Sequence, residues 1–276
     1  MLLLLALTMG ACKAEKKSDT WTAKVAENET VVEFHTSAGD FKVKLYNETP
    51  KHRDNFIKLV KDKTYEGIIF HRVIKSFMIQ AGDPTAKNVP PGEACGAGDI
   101  GYTVPCEIVY PQYYHKYGAL AAARENDDVN PKRESSGCQF YIVTGQKWTQ
   151  PKLEFKEKEL NDARLKVCFD SISATHHQQI VEWRKAKALD KLSALQDTME
   201  AQAKRALEQN PAFKLTPQML KDYTTIGGTP HLDNAYTVFG EVVEGFDVIN
   251  DIQQVRTDRR NRPVDDVTII SVSIVQ

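Results

Sequence analysis

One arginine stands inside an apolar run. Residues 70–84 read FHRVIKSFMIQAGDP, with Val73, Ile74, Phe77, Met78 and Ile79 around Arg72 and Gln80, and Gly82-Asp83-Pro84 closing the run with a turn signal. A guanidinium is always charged and is rarely set beside apolar side chains without a task. Its planar fork of N–H donors, in a water-poor setting, can stabilise an electron pair or a negative charge. Taken alone, Arg72 could equally pair with a carboxylate, and Phe77 or Met78 could be plain core. Metal chemistry has no support, since no C-x-x-C or Cys/His pair has ligand spacing. The adjacent His176 and His177 lie in a polar helical stretch and read as solvated.

The surrounding elements must hold that arginine. Residues 31–36 and 41–46 alternate apolar and polar types around Ser37-Ala38-Gly39-Asp40, which predicts a hairpin with one buried face. Thr49-Pro50 opens a helix, with Thr as N-cap and Phe56, Leu59 and Val60 as the buried stripe. Residues 68–73 and 77–80 form a second strand pair, and 89–101 is a Gly- and Pro-rich loop. Short strands are expected at 139–143 and 237–243, a short helix at 246–252 and a closing strand at 267–275. Residues 118–124, GALAAAR, are helical by propensity alone. Many short strands without helical crossovers favour a closed antiparallel barrel over a parallel sheet.

Residues 152–222 break this pattern. Ile180, Trp183, Leu189, Leu192, Leu195, Met199, Ala203 and Leu207 mark an apolar face at helical spacing, and charged residues fill the rest. Asn210-Pro211 ends that helix, and Thr216-Pro217 starts a shorter one. The segment reads as a helical insertion in a β protein, its stripe packed on the barrel or on a partner helix.

Four blocks in order resemble the cyclophilins, the cyclosporin-binding family of peptidyl-prolyl isomerases. They are residues 70–84, residues 118–124, Ser136-Gly137-Cys138-Gln139-Phe140-Tyr141-Ile142, and His231-Leu232-Asp233-Asn234-Ala235-Tyr236-Thr237-Val238-Phe239-Gly240-Glu241-Val242. The resemblance implies a mainly β fold, a closed eight-stranded antiparallel barrel capped by two helices, and makes residues 118–124 a strand. It implies that Arg72 is the catalytic arginine. Phe77, Met78, Tyr141 and Leu232 would line a proline pocket, and Gln80 and Gln139 would bind the peptide beside it. Ala123 and Arg124 would offer backbone contacts. Tyr236 takes a place where the family often has His. His231 replaces a Trp that carries much of the affinity for cyclosporin, so weak cyclosporin binding is expected. The implied partners are proline-containing unfolded or extended polypeptides, and no cofactor or metal is required. A non-catalytic chaperone gripping proline segments, or a docking module built on the insert, is the alternative use of the same surface.

The implied chemistry is physically simple. Amide resonance sets a barrier of roughly 18–20 kcal/mol to rotation about an X-Pro bond. Halfway round, the prolyl nitrogen turns pyramidal and its lone pair can accept a hydrogen bond. A guanidinium aimed there binds the twisted state selectively, and each roughly 1.4 kcal/mol of such binding gives about tenfold in rate.

The 276 residues allow one large domain or two small ones, and a net charge of −1 gives no reason to expect nucleic acid. Residues 2–9 are almost wholly apolar and precede Gly10-Ala11-Cys12. This run is too short for a permanent membrane span and fits a signal peptide over residues 1–11. It resembles a bacterial lipoprotein cleavage box, in which Cys12 becomes the lipid-bearing first residue. Residues 12–29 would then be a flexible tether, residues 30–276 the isomerase domain, and the location the bacterial cell envelope, periplasm or outer membrane. In that oxidising setting Cys95 and Cys106 could pair, or Cys95, Cys106, Cys138 and Cys168 could all stay free. The run Arg256-Thr257-Asp258-Arg259-Arg260-Asn261-Arg262 reads as a solvated loop.

Overall fold

The computed structural model describes residues 24–208 and 213–276. The expected signal peptide, Cys12 and the Asn210-Pro211 helix stop lie outside the described residues. Two strands open the fold, β1 (Thr30–Thr36) and β2 (Gly39–Leu45), followed by α1 (Pro50–Lys61). Then come β3 (Arg72–Ile74), β4 (Met78–Ala81), β5 (Thr103–Val104), β6 (Ala119–Ala122), β7 (Ser135–Ser136) and β8 (Phe140–Val143). Four helices occupy the segment expected as an insert: α2 (Gln150–Thr175), α3 (His177–Lys185), α4 (Leu189–Glu208) and α5 (Pro217–Thr225). A 3-10 turn at Pro230–Leu232 leads into β9 (Val238–Glu244), α6 (Phe246–Ile252) and β10 (Ile269–Ile274).

Eight strands form one antiparallel sheet in the order β10-β1-β2-β9-β6-β8-β4-β3. The expected barrel is not closed by a continuous ladder. Its two edge strands, β10 and β3, meet only through the segment before β3, by an isolated bridge between Ile69 and Thr268 and a few backbone bonds such as Phe70 N to Val267 O at 2.9 Å. The sheet is therefore curled, with α1 and α6 packed on it as expected.

Period-two alternation divides the sheet into two surfaces. Leu120, Ala122, Phe140, Ile142, Ile79, Phe239 and Val242 point into the interior, where Phe34 and Phe41 stack at 4.6 Å and Phe56 and Tyr65 fill the centre. Their chain neighbours Ala119, Ala121, Tyr141, Val143, Met78 and Val238 face the other way and form a second cluster. This is why 119–122 has small apolar residues on both faces: β6 is buried on both sides.

Three details differ from expectation. Thr49 does cap α1 by position, but its hydroxyl bonds Tyr46 O instead of the helix. The orphan N–H groups of Lys51 and His52 go to the Glu107 carboxylate at 3.0 and 2.9 Å, a residue far along the chain. Residues 24–29, assigned to the tether, are fastened to the sheet by Lys44 Nζ to Lys24 O at 2.7 Å and Gln276 Nε2 to Ala26 O at 2.9 Å. Arg262, read as part of a solvated loop, is buried and holds the carbonyls of Val89, Pro90 and Glu93 together with Asp266. It thereby shapes the loop that runs toward Gly96.

The helices here run from 150 to 225 and are not one long helix. Lys187, in the left-handed region at φ 54°, sits in the break before α4, which folds back onto α2. Of the expected stripe only Met199 and Ala203 are buried, while Leu189 is 72% exposed. The root is better filled: Leu153, Phe213, Leu215, Met219 and Tyr223 pack with Tyr114 of the barrel. Thr216 caps α5 as expected, accepting from Met219 N at 3.2 Å. Cys95, Cys106, Cys138 and Cys168 are all free.

Candidate active site

The β3–β4 hairpin sets Arg72 opposite Gln80, and β8 sets Tyr141 on the far side of Gln80. Gly82, at φ 101°, ends β4 so close to β8 that a Cβ there would lie 2.2 Å from Cys138 O. That approach brings Gln139 within reach of the arginine. Arg72 Nη1 donates to Gln80 Oε1 at 3.2 Å, and Gln80 Nε2 donates to Gln139 Oε1 at 3.0 Å. Gln139 Nε2 in turn donates to Gly96 O and Gly98 O at 3.0 and 2.9 Å. Two backbone carbonyls accept only donors, so they fix the orientation of both amides and aim an oxygen at Arg72.

Among the described residues Arg72 makes no ion pair. Its partner is a neutral amide, so its charge is left uncompensated. The guanidinium is half-buried, 6.0 Å from the Phe77 ring centroid.

Beside it lies the second apolar cluster. Met78 and Tyr141 are its buried floor, and Phe77, Leu232, Tyr236 and Ala123 form its partly exposed walls. Small Ala119 and Ala121 are fully buried in the same cluster. His231 is exposed and stacks on Phe77 at 5.5 Å. Arg124 lays its guanidinium over Tyr236 at 4.5 Å, held by Ala235 O at 2.8 Å and Asp127 at 2.7 Å. All the expected site residues that lie among the described residues thus converge on one face; Cys12, expected to carry a lipid, lies outside them.

One expectation needs correction. Ala123 does not present a free backbone: its N–H donates to Gln139 O at 3.0 Å and its carbonyl accepts from Ser136 N at 2.8 Å. The backbone left for a ligand at this edge is that of Arg124.

The loop behind the amides is tied down by Asp83. Its carboxylate accepts from Thr85 N, Thr85 Oγ1 and Gly96 N at 2.7, 2.6 and 2.5 Å. Burial pulls its pKa up, but the Thr85 hydroxyl and the N–H groups of Gly96, Thr85 and Gly98 outweigh it and hold the carboxyl below its ordinary value. His71, beside Arg72 in sequence, is buried with neither ring nitrogen hydrogen-bonded. Burial pushes it down to about 4, partly offset by Asp83 and reinforced by Arg72.

Sequence reasoning missed His115, Tyr223 and Glu107. The Tyr141 hydroxyl bonds His115 Nε2 at 3.0 Å. No local pattern marks His115, because its partners are 26 and 118 residues away.

A curled antiparallel sheet with two packed helices, a partly exposed apolar cluster and one arginine held by amides defines a cyclophilin-like protein. The family model described as "Cyclophilin type peptidyl-prolyl cis-trans isomerase/CLD" matches residues 31–177 and 221–274, and the chain belongs to that family. A Staphylococcus haemolyticus protein named for peptidyl-prolyl cis-trans isomerase activity is 29% identical, over 91% of this chain and 94% of its own. A counterpart from Staphylococcus aureus strain USA300 is 30% identical over the same shares. The solved cyclophilin of Cryptosporidium parvum shares the fold at a TM-score of 0.51 and 20% identity, covering 90% of this chain and 98% of its own. The same protein has also been solved in the presence of the dipeptide Ala-Pro (TM-score 0.50). The protein is a cyclophilin-type peptidyl-prolyl cis-trans isomerase.

Proposed function

We propose that Arg72 is the catalytic group and that the cup of Phe77, Met78, Tyr141, Leu232 and Tyr236 holds the substrate proline. The single observation behind this is an arginine without a carboxylate partner among the described residues, beside a partly exposed apolar cluster. With the ring held, the planar amide offers Arg72 little. As the X-Pro bond twists, the nitrogen lone pair is freed and accepts an N–H from the guanidinium. Nothing is made or broken, so no base or nucleophile is used. Gln80 and Gln139 keep the fork aimed, and the Arg124 backbone and the Gln80 amide bind the flanking peptide. With His231 in place of an indole, cyclosporin binds weakly.

The test is turnover of a short Ala-Pro peptide, together with proline-limited refolding of a model protein. Arg72→Ala should lose about 100-fold in kcat/KM, equal to about 3 kcal/mol of transition-state binding, with an unchanged circular dichroism spectrum. Full activity of that variant would remove the assignment.

The setting we propose is the bacterial cell envelope, with Cys12 as a lipid anchor and proline-containing exported polypeptides as substrates. The support is the short apolar run before Gly10-Ala11-Cys12. Mass spectrometry of the mature protein should find a diacylglyceryl-modified Cys12 at the N-terminus; an unmodified or uncleaved terminus rejects it.

A further inference from the structure

Behind the cup wall lies a buried chain of polar groups that reaches into the helical insert. Tyr141 Oη donates to His115 Nε2 at 3.0 Å. His115 Nδ1 faces Asp233 Oδ1 at 3.0 Å, and the His115 backbone N–H donates to the same oxygen at 2.8 Å. Asp233 Oδ2 accepts from the Tyr223 hydroxyl at 2.5 Å, and Tyr223 belongs to α5. His115 and Tyr223 are fully buried, and Asp233 and Tyr141 nearly so.

The directions follow from donor and acceptor chemistry. An ionised carboxylate only accepts, so His115 carries its proton on Nδ1. Its Nε2 lone pair then points at Tyr141 and accepts a hydrogen bond from the hydroxyl. The imidazole lies within 14° of the Tyr141 ring plane, with centroids 6.0 Å apart, and meets Tyr236 edge-on at 6.3 Å. Tyr141 and Tyr236 themselves meet edge-on at 6.1 Å. One ring therefore sets two walls of the cup. In an apolar surrounding, such a chain is firm when every member is satisfied and loose when one is removed.

We propose that His115, Asp233 and Tyr223 are positioning residues, through which the insert fixes the Tyr141 and Tyr236 walls and so sets affinity for the proline ring. This rests on the cup being the proline site. The walls touch a ring that is bound before and during rotation, so they supply uniform binding. Their loss appears in KM, whereas the Arg72 donor appears in kcat. A purely structural network would lower stability without touching either constant at a temperature where the protein is folded.

Tyr223→Phe removes one hydroxyl and keeps the ring that packs at the insert root. At 10 °C it should raise KM for an Ala-Pro peptide about threefold to tenfold and leave kcat within twofold. Tyr141→Phe removes the group that the chain orients. In that background the effect of Tyr223→Phe on KM should fall to half or less of its size in the wild type, leaving only the part carried through Tyr236, while its effect on Tm persists. The more disruptive His115→Gln serves as a second variant, with peptide affinity from NMR titration as the readout if turnover is too slow. An unchanged KM in Tyr223→Phe, or an equal KM effect in both Tyr141 backgrounds, overturns the proposal. Failure of the underlying reading looks different: Arg72→Ala would then be as active as the wild type.

Discussion

At the scale of single residues, the site depends on how one charge is partnered. Gln80 holds Arg72 with a neutral oxygen at 3.2 Å. A carboxylate there would spend the guanidinium on an internal ion pair. Gln80→Glu should therefore lower kcat at pH 7 by about tenfold or more, since roughly 1.4 kcal/mol of lost donor strength suffices. The arginine would hold the new carboxyl below the usual Glu value, so activity returns only below about pH 4; a pH series of peptide turnover checks this. Arg72, Gln80 and Gln139 were legible in sequence because each lies inside a short block whose neighbours are strand-like. His115 and Tyr223 were not, since their meaning comes from contacts made only after the insert docks on the barrel. Ala123 was misread for a related reason: a residue's place in a motif does not reveal whether its backbone is already bonded.

At the scale of elements, alternation did most of the work. The strands over 31–45, 139–143 and 237–243 were plain from their apolar pattern, whereas residues 119–122 were ambiguous because both faces are buried. The start of α1 was placed correctly at Thr49-Pro50 with Thr49 as the N-cap residue, but the capping hydrogen bonds come from Glu107, which arrives from a loop. Glu107→Ala should destabilise the fold by about 1–3 kcal/mol, through two orphaned N–H groups and a lost partner for His52. Thr49→Ala, which leaves those bonds intact, should cost less; urea denaturation of both variants compares them. The long apolar stripe misled as to continuity, since helical periodicity carries on across a turn as readily as along one helix.

At the scale of the whole molecule, the insert divides into a packed root and a thinly covered arm. The groove between α2 and α4 is lined by Asp162, Leu165, Phe169, Gln196 and Glu200, so these helices are neighbours there. Replacing residues 170–196 by a short Gly-Ser linker should leave peptide turnover within twofold, because Leu153, Met219 and Tyr223 stay in place. Removing 152–222 would take out much of that root and should cost activity as well. Acid stability is also a property of the whole fold. His71 stays neutral in the folded state until about pH 4, while the unfolded chain takes up its proton near 6.5. Stability is therefore unaffected above about 6.5 and falls as pH drops towards 4, by about 3 kcal/mol from this residue. His52, also pushed down by burial against the pull of Glu107, adds in the same direction. Asp83 begins to add its own loss below the ordinary Asp value. A His71→Phe variant should flatten this slope in urea titrations between pH 7 and 4.

The neutral amide tether of Arg72 has one more consequence. In the proposed mechanism a fork that never loses its proton, steered by groups that never gain one, gives an engine indifferent to acidity. Turnover per folded molecule should stay level from mildly acid to alkaline surroundings, and the lower limit of its working range should be set by the scaffold coming apart.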